Sequence, residues 1–183
     1  METMAEHDVY LSKEKLLESL IEDYGTELKR VAYLYVKDHS LSEDIIQEVF
    51  INCYHHLDSF RQESSYRTWL MRITVNKSKD ALKRWSFRKL ISKAEIEPEL
   101  LNMHTPESDT VSGMEKKELI QAVLTLPIKL REVIILFYYK DFSIVEISSI
   151  LQLNENTIKT RLFRAREKLR TKLEGSGNLW TNN

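Results

Sequence analysis

The residues best suited to chemistry lie near the carboxy terminus, between Asn156 and Leu173. Ile158, Leu162, Ala165, Leu169 and Leu173 recur at steps of three and four, which places them on one face of a helix. The opposite face then presents Asn156, Thr157, Lys159, Thr160, Phe163 and Arg164 near its start, with Arg161, Arg166, Lys168, Arg170 and Lys172 beside and beyond them. Amides, hydroxyls and guanidinium groups can read the donors and acceptors of base edges, and an apolar ring can meet a thymine methyl. The remaining cations suit phosphates. This pattern points to binding of duplex DNA.

Catalytic and metal chemistry find less support. Cys53, His55 and His56 are conceivable ligands, but residues one and two apart on a helix face different ways, and the other histidines lie in unrelated segments. No metal, cofactor or enzymatic activity is expected. A single cysteine excludes an internal disulfide and fits a reducing compartment.

The net charge of -1 conceals a division along the chain. Residues 1–60 carry a net -8 and residues 94–154 a net -5, whereas residues 61–93 carry +8 and residues 155–183 carry +4. Two basic blocks alternate with two acidic ones, so the chain holds two candidate footprints for a polyanion.

Helices must position these groups. Leu17, Leu20, Ile21, Tyr24, Leu28, Val31, Ala32 and Tyr35 form one apolar face, predicting a long helix with Gly25 as a place to bend. Ser42 is the expected N-cap of a second helix reaching about Leu57, with Glu43 and Asp44 in its first turn and Ile45, Ile46, Val49, Phe50 and Leu57 buried. Asp58 to Ser65 reads as a loop and Tyr66 to Trp85 as a third helix, with Trp69, Leu70, Ile73, Ala81 and Leu82 as core candidates.

Periodicity fades over residues 86–111, read as a flexible linker; extended, it would reach roughly 90 Å, the rise of about 26 base pairs. A second unit opens with the capping-box pair Ser112 and Glu115 and a helix to about Leu124. Pro127 fits the first turn of a helix to about Lys140, Ser143 and Glu146 repeat the capping box before Ile144 to Leu151, and Asn154 caps the last helix. A short helix, a tight turn and a longer basic helix make a helix-turn-helix. The expected architecture is all-α: two small helical domains at 1–85 and 112–174, the second of four helices, joined by the linker and followed by a tail at 175–183.

Thr157 to Arg170, with the order Thr-Ile-Lys-Thr-Arg-Leu-Phe-Arg-Ala-Arg-Glu-Lys-Leu-Arg, closely resembles the final helix of the extracytoplasmic-function (ECF) group of bacterial sigma factors. Glu43 to Phe50 resembles the segment with which that family binds core RNA polymerase, and Phe60 to Arg84 its promoter-melting segment. The likeness extends from about Leu16 to Leu173.

This resemblance implies that Asp44, Gln47, Glu48, Phe50 and Ile51 dock on the polymerase clamp, with the second domain meeting the flap. It implies that Phe60, Arg61, Ser64, Ser65, Tyr66, Trp69, Asn76, Lys79, Lys83 and Arg84 recognise and melt the minus-10 element. Phe60 and Tyr66 would wall an unpaired base, whose stacking contributes roughly 1 to 3 kcal/mol. The last helix would read the minus-35 element. The implied partners are core RNA polymerase, promoter DNA both duplex and melted, and an anti-sigma factor, in many cases membrane-bound.

The protein itself is expected to be cytoplasmic and not inserted in a membrane, since no apolar run approaches a spanning length, and a monomer is expected outside the holoenzyme. A helix-turn-helix regulator that is not a sigma factor is the alternative. Two positions depart from the family pattern: Ser148 stands where alanine is common, and Asn156 where the turn commonly has glycine, a place suited to left-handed backbone.

Overall fold

The computed structural model describes the backbone of residues 3–60, 64–91 and 119–174, and the side chains of 13–60, 64–84 and 119–173. The chain divides into two compact units, Met1–Ala94 and Glu95–Asn183, and no strand occurs among the described residues.

In the first unit, helices α1 (Thr3–Val36), α2 (His39–His56) and α3 (Tyr66–Ile91) pack pairwise, with a 3-10 turn, Leu57–Ser59, after α2. Helix α1 begins well before Leu17 and runs through Gly25 without interruption. It ends at Val36: the Lys37 N–H still donates to the Tyr33 carbonyl at 2.7 Å, but the left-handed φ of Lys37, 60°, turns the chain out of the helix. Asp38, not Ser42, is the N-cap of α2: its extended backbone starts the helix one turn earlier, and its carboxylate accepts from the Leu41 N–H at 2.8 Å. Ser42 is instead buried, and its hydroxyl donates to the His39 carbonyl.

The core of this unit joins Leu28, Val31 and Tyr35 of α1, Ile45, Val49 and Cys53 of α2, and Leu70, Met71 and Val75 of α3. Trp69, Ile73 and Leu82 are only half-buried, while Thr74 and Ser78 are fully buried. The polar pair is tolerated because Thr74 donates to the Leu70 carbonyl at 2.9 Å and Ser78 to the Thr74 carbonyl at 2.7 Å, so neither hydroxyl is left unsatisfied. Ion pairs brace the outside: Arg67 grips Glu27 through two hydrogen bonds, and Lys77 reaches Glu48 at 3.0 Å. Lys29 lies 2.6 Å from Glu43 and, by hydrogen bond and charge, holds that carboxyl below its usual range.

The second unit contains α4 (119–125), α5 (Ile128–Ile134), α6 (Ile144–Leu151) and α7 (Glu155–Glu174). Pro127 precedes α5 as its cap residue and does not enter its first turn; its carbonyl accepts from Leu130 and Arg131. The helix expected to reach Lys140 widens after Ile134 into a π turn, Ile135–Tyr139. Asp141, at φ 55°, then reverses the chain, and the Phe142 N–H donates to the Leu136 carbonyl at 3.0 Å. Phe142, Ile147, Ile150, Ile158, Leu162 and Ala165 are buried together with Leu136 and Val133.

Helix α3 continues to Ile91, past the expected end at Trp85. The Ser112 and Glu115 capping pair, most of the expected linker and Arg61 lie outside the described residues.

Candidate nucleic-acid interface

The helix-turn-helix is built by local hydrogen bonding. Ser143 and Glu146 form a reciprocal capping box at the start of α6: the Glu146 carboxylate accepts from the Ser143 N–H at 2.9 Å, and the Ser143 hydroxyl accepts from the Glu146 N–H. Gln152 closes α6 at φ 54°, and the Leu153 N–H donates back to the Ser148 carbonyl at 3.1 Å. The Ser148 hydroxyl donates across the same turn to the Leu153 carbonyl, so serine adds a bond there. Asn154 caps α7 as expected, its side-chain oxygen accepting from both the Thr157 N–H and the Thr157 hydroxyl at 2.8 Å. The left-handed residue of the turn is thus Gln152, whereas Asn156 lies within α7; the expectation that Asn156 occupies the turn is corrected.

Helix α7 buries Ile158, Leu162 and Ala165, and half-buries Leu169 and Leu173. Asn156, Lys159, Thr160, Phe163, Arg164, Arg166 and Lys168 are exposed; the Phe163 ring keeps 63% of its surface in solvent. Most of this aromatic side chain is thus held out of the core of its own unit on a capped, basic helix. Two residues of the expected set behave differently. Thr157 is half-buried and occupied with the cap. Arg161 turns inward to the buried Glu132 of α5 at 2.7 Å, so its guanidinium fastens α7 to the unit. Arg131, also buried, donates to the Leu124 carbonyl at the end of α4. Sequence reasoning did not single out Glu132 or Arg131; the available signal was a charged pair opening an otherwise apolar run.

In the first unit, Phe60, Tyr66 and Trp69 converge although a loop separates Phe60 from the other two. Phe60 stacks on Tyr66 with centroids 4.7 Å apart and meets Trp69 at 4.8 Å, and Tyr66 and Trp69 lie 6.5 Å apart. All three are half-buried, which leaves ring surface available. Ser65 is occupied as the cap of α3, accepting from the Thr68 N–H at 3.1 Å, and Ser64 stands beside it. Asn76, Lys83 and Arg84 are exposed along α3 and Lys79 is half-buried; Lys83 pairs with Asp80.

On α2, Asp44, Gln47, Glu48 and Ile51 share one stripe at steps of three, one and three. Asp44 and Gln47 are exposed, Glu48 is half-buried against Lys77, and Ile51 leaves 59% of its surface in water. Phe50, expected with them, instead lies in the core against Gly25 and supports the stripe from behind. Cys53 is buried while His55 and His56 are exposed, so these three do not converge. Among the described residues no helix is long and apolar enough to cross a membrane.

Two family models match the chain, one after the other. The Sigma-70 region 2 model matches residues 20–87, and the Sigma-70, region 4 model matches residues 116–169. The chain is 32% identical over 162 residues to the ECF RNA polymerase sigma factor SigW of Bacillus subtilis, covering 84% of this chain and 87% of that protein. It is 31% identical over 169 residues to the ECF RNA polymerase sigma-E factor of Escherichia coli K12, covering 88% of each. Among solved structures, the sigma factor RpoE in complex with the anti-sigma factor NepR from Bartonella quintana superposes with a TM-score of 0.74 at 24% identity, over 87% of this chain and 98% of that one. CnrH in complex with the cytosolic domain of CnrY gives 0.64 at 23% identity, over 88% and 90%. With both sigma-70 regions matched in order and relatives above 30% identity over most of its length, the chain belongs to the ECF RNA polymerase sigma factors.

Proposed function

We propose that this ECF sigma factor divides promoter recognition between its two units, with residues 1–85 acting at the minus-10 element and residues 112–174 at the minus-35 element. A sigma factor is an initiation factor and not an enzyme; its task is to bring core RNA polymerase to a promoter and help open the DNA. The observation that carries the assignment is the presence, in one chain, of an exposed basic helix closing a helix-turn-helix and a separate aromatic cluster at the head of a second basic helix. The first suits paired DNA, whose base edges are reached through the major groove. The second suits unpaired bases, which stack on aromatic rings while cations follow the backbone.

The α2 stripe of Asp44, Gln47, Glu48 and Ile51 is the proposed contact with the polymerase clamp, and the second unit the contact with the flap. Solved relatives of this fold are complexes with anti-sigma factors, which supports an anti-sigma factor as the partner that holds this chain inactive. The site of action is that of the polymerase, the cytoplasm.

Transcription with purified core polymerase and genomic template tests the reading. Holoenzyme reconstituted with this chain is expected to yield discrete start sites sharing two upstream elements. A chain that binds such DNA alone but never supports initiation is a free-standing regulator, and the proposal fails.

A further inference from the structure

The π turn after α5 places an aromatic hydroxyl beside the reading helix. Tyr138 is 54% exposed, and its hydroxyl accepts a hydrogen bond from Arg166 Nε of α7 at 2.7 Å. The guanidinium carbon of Arg166 lies 5.5 Å from the centre of the same ring, so the arginine is held by both the hydroxyl and the π face. An exposed arginine ordinarily samples many rotamers and loses that freedom when it binds. Here two contacts from a neighbouring element fix one arrangement before any ligand arrives.

The chemistry of the pair is that of a phosphate clamp. Nε is the nitrogen engaged by Tyr138, so the two terminal nitrogens, which form the fork that grips phosphate oxygens, are not taken up by it. The Tyr138 hydroxyl accepts from Arg166 and keeps its own proton to donate. At 100° per residue, Arg166 lies on a flank of α7, between the buried line of Ile158, Leu162 and Ala165 and the outward pole near Asn156 and Thr160. When the pole of a helix enters a groove about 12 Å wide, its flanks meet the sugar-phosphate walls. π turns inside helices recur at functional sites, and this one presents Tyr138 to α7.

We infer that Tyr138 and Arg166 together form a preorganised clamp for one backbone phosphate at the edge of the minus-35 duplex, with Tyr138 as an unassigned DNA-contacting residue. The inference rests on α7 reading duplex DNA, as proposed above.

The test uses holoenzyme reconstituted with the full chain and a promoter fragment carrying a mapped start site. Single phosphates of the upstream duplex are replaced in turn by neutral methylphosphonates, and binding is measured by competition. Tyr138→Phe, which keeps the ring and removes the hydroxyl, is expected to weaken binding about 3- to 10-fold whatever the minus-35 sequence. It should also lose sensitivity at the same phosphate that Arg166→Ala ceases to sense, and should have little further effect in the Arg166→Ala background. Wild-type affinity in Tyr138→Phe, full additivity of the two variants, or sensitivity lost at different phosphates overturns the clamp while leaving the α7 assignment intact. A wild-type holoenzyme indifferent to both sequence and phosphate neutralisation in the upstream duplex removes the α7 assignment itself, and the clamp with it.

Discussion

Cys53 sits on the inner face of α2 with no surface in solvent, and burial pushes its thiol up to about 11 from an ordinary 9.0. The thiolate is the reactive form, so this group should behave as a small apolar side chain and not as a redox sensor. Aromatic disulfide reagents at pH 8 are expected to leave Cys53 untouched in the folded protein and to titrate it within seconds once urea unfolds the unit. Its pH dependence has a definite sign. The unfolded thiol loses its proton first, so between pH 9.0 and about 11 the unfolded state binds fewer protons and stability falls as pH rises. Cys53→Ala should show a shallower decline over that window than wild type, read from urea midpoints at each pH. Equal slopes would mean that the thiol does not titrate there.

At the scale of elements, what holds α7 in place matters as much as what α7 presents. Glu132 is buried in α5 and faces Arg161 of α7 at 2.7 Å, and removing one member of such a pair leaves a charge in poor surroundings at a cost of about 3 kcal/mol. Glu132→Gln is therefore expected to speed amide exchange in α7 by roughly a hundredfold while leaving α1 to α3 unchanged. Unchanged α7 protection would show that apolar packing alone seats the helix.

Gly25 makes the opposite case. A methyl group there would lie 3.8 Å from both Ile21 and Phe50, an ordinary contact, in the middle of an unbroken helix. Gly25→Ala should stabilise the first unit by about 0.5 to 1 kcal/mol, raising its thermal midpoint by several degrees.

These elements also show what was legible beforehand. The α7 stripe, its Asn154 cap and the Ser143–Glu146 box follow from local rules, and each is present in the structure. The inner face of α3 departs from the apolar pattern because Thr74 and Ser78 count as polar in it, yet they satisfy themselves on the preceding turn. Trp69 and Ile73, which helical spacing predicts inside, are half-buried. The convergence of Phe60 with Tyr66, the inward turn of Arg161 and the Tyr138–Arg166 contact are tertiary, so no spacing within one segment announces them.

For the whole molecule, the decisive property of the proposal is that two surfaces of different chemistry, each assigned to DNA, belong to one chain. Two weak sites on a tether gain from each other only when a scaffold sets their separation, which core polymerase is proposed to do. The isolated chain should therefore bind promoter duplex weakly and the holoenzyme tightly. Within the holoenzyme the two surfaces should also fail separately. Arg164 stands exposed among the groups of α7 proposed to read bases, whereas Tyr66 belongs to the aromatic cluster of the first unit. Arg164→Ala is expected to relax preference among minus-35 sequences by about tenfold, since a good arginine-to-base contact is worth roughly 1 to 3 kcal/mol of discrimination, yet to leave thymines at the start site as reactive to permanganate as in wild type. Tyr66→Ala should do the reverse, keeping the minus-35 preference while permanganate reactivity falls several-fold for want of a stacking partner for unpaired bases. Because Tyr66 also packs on Phe60, Tyr66→Phe serves as the control: it keeps the stack and should open DNA normally. If either alanine variant impairs both readouts together, recognition and melting are not divided between the two units in the way proposed.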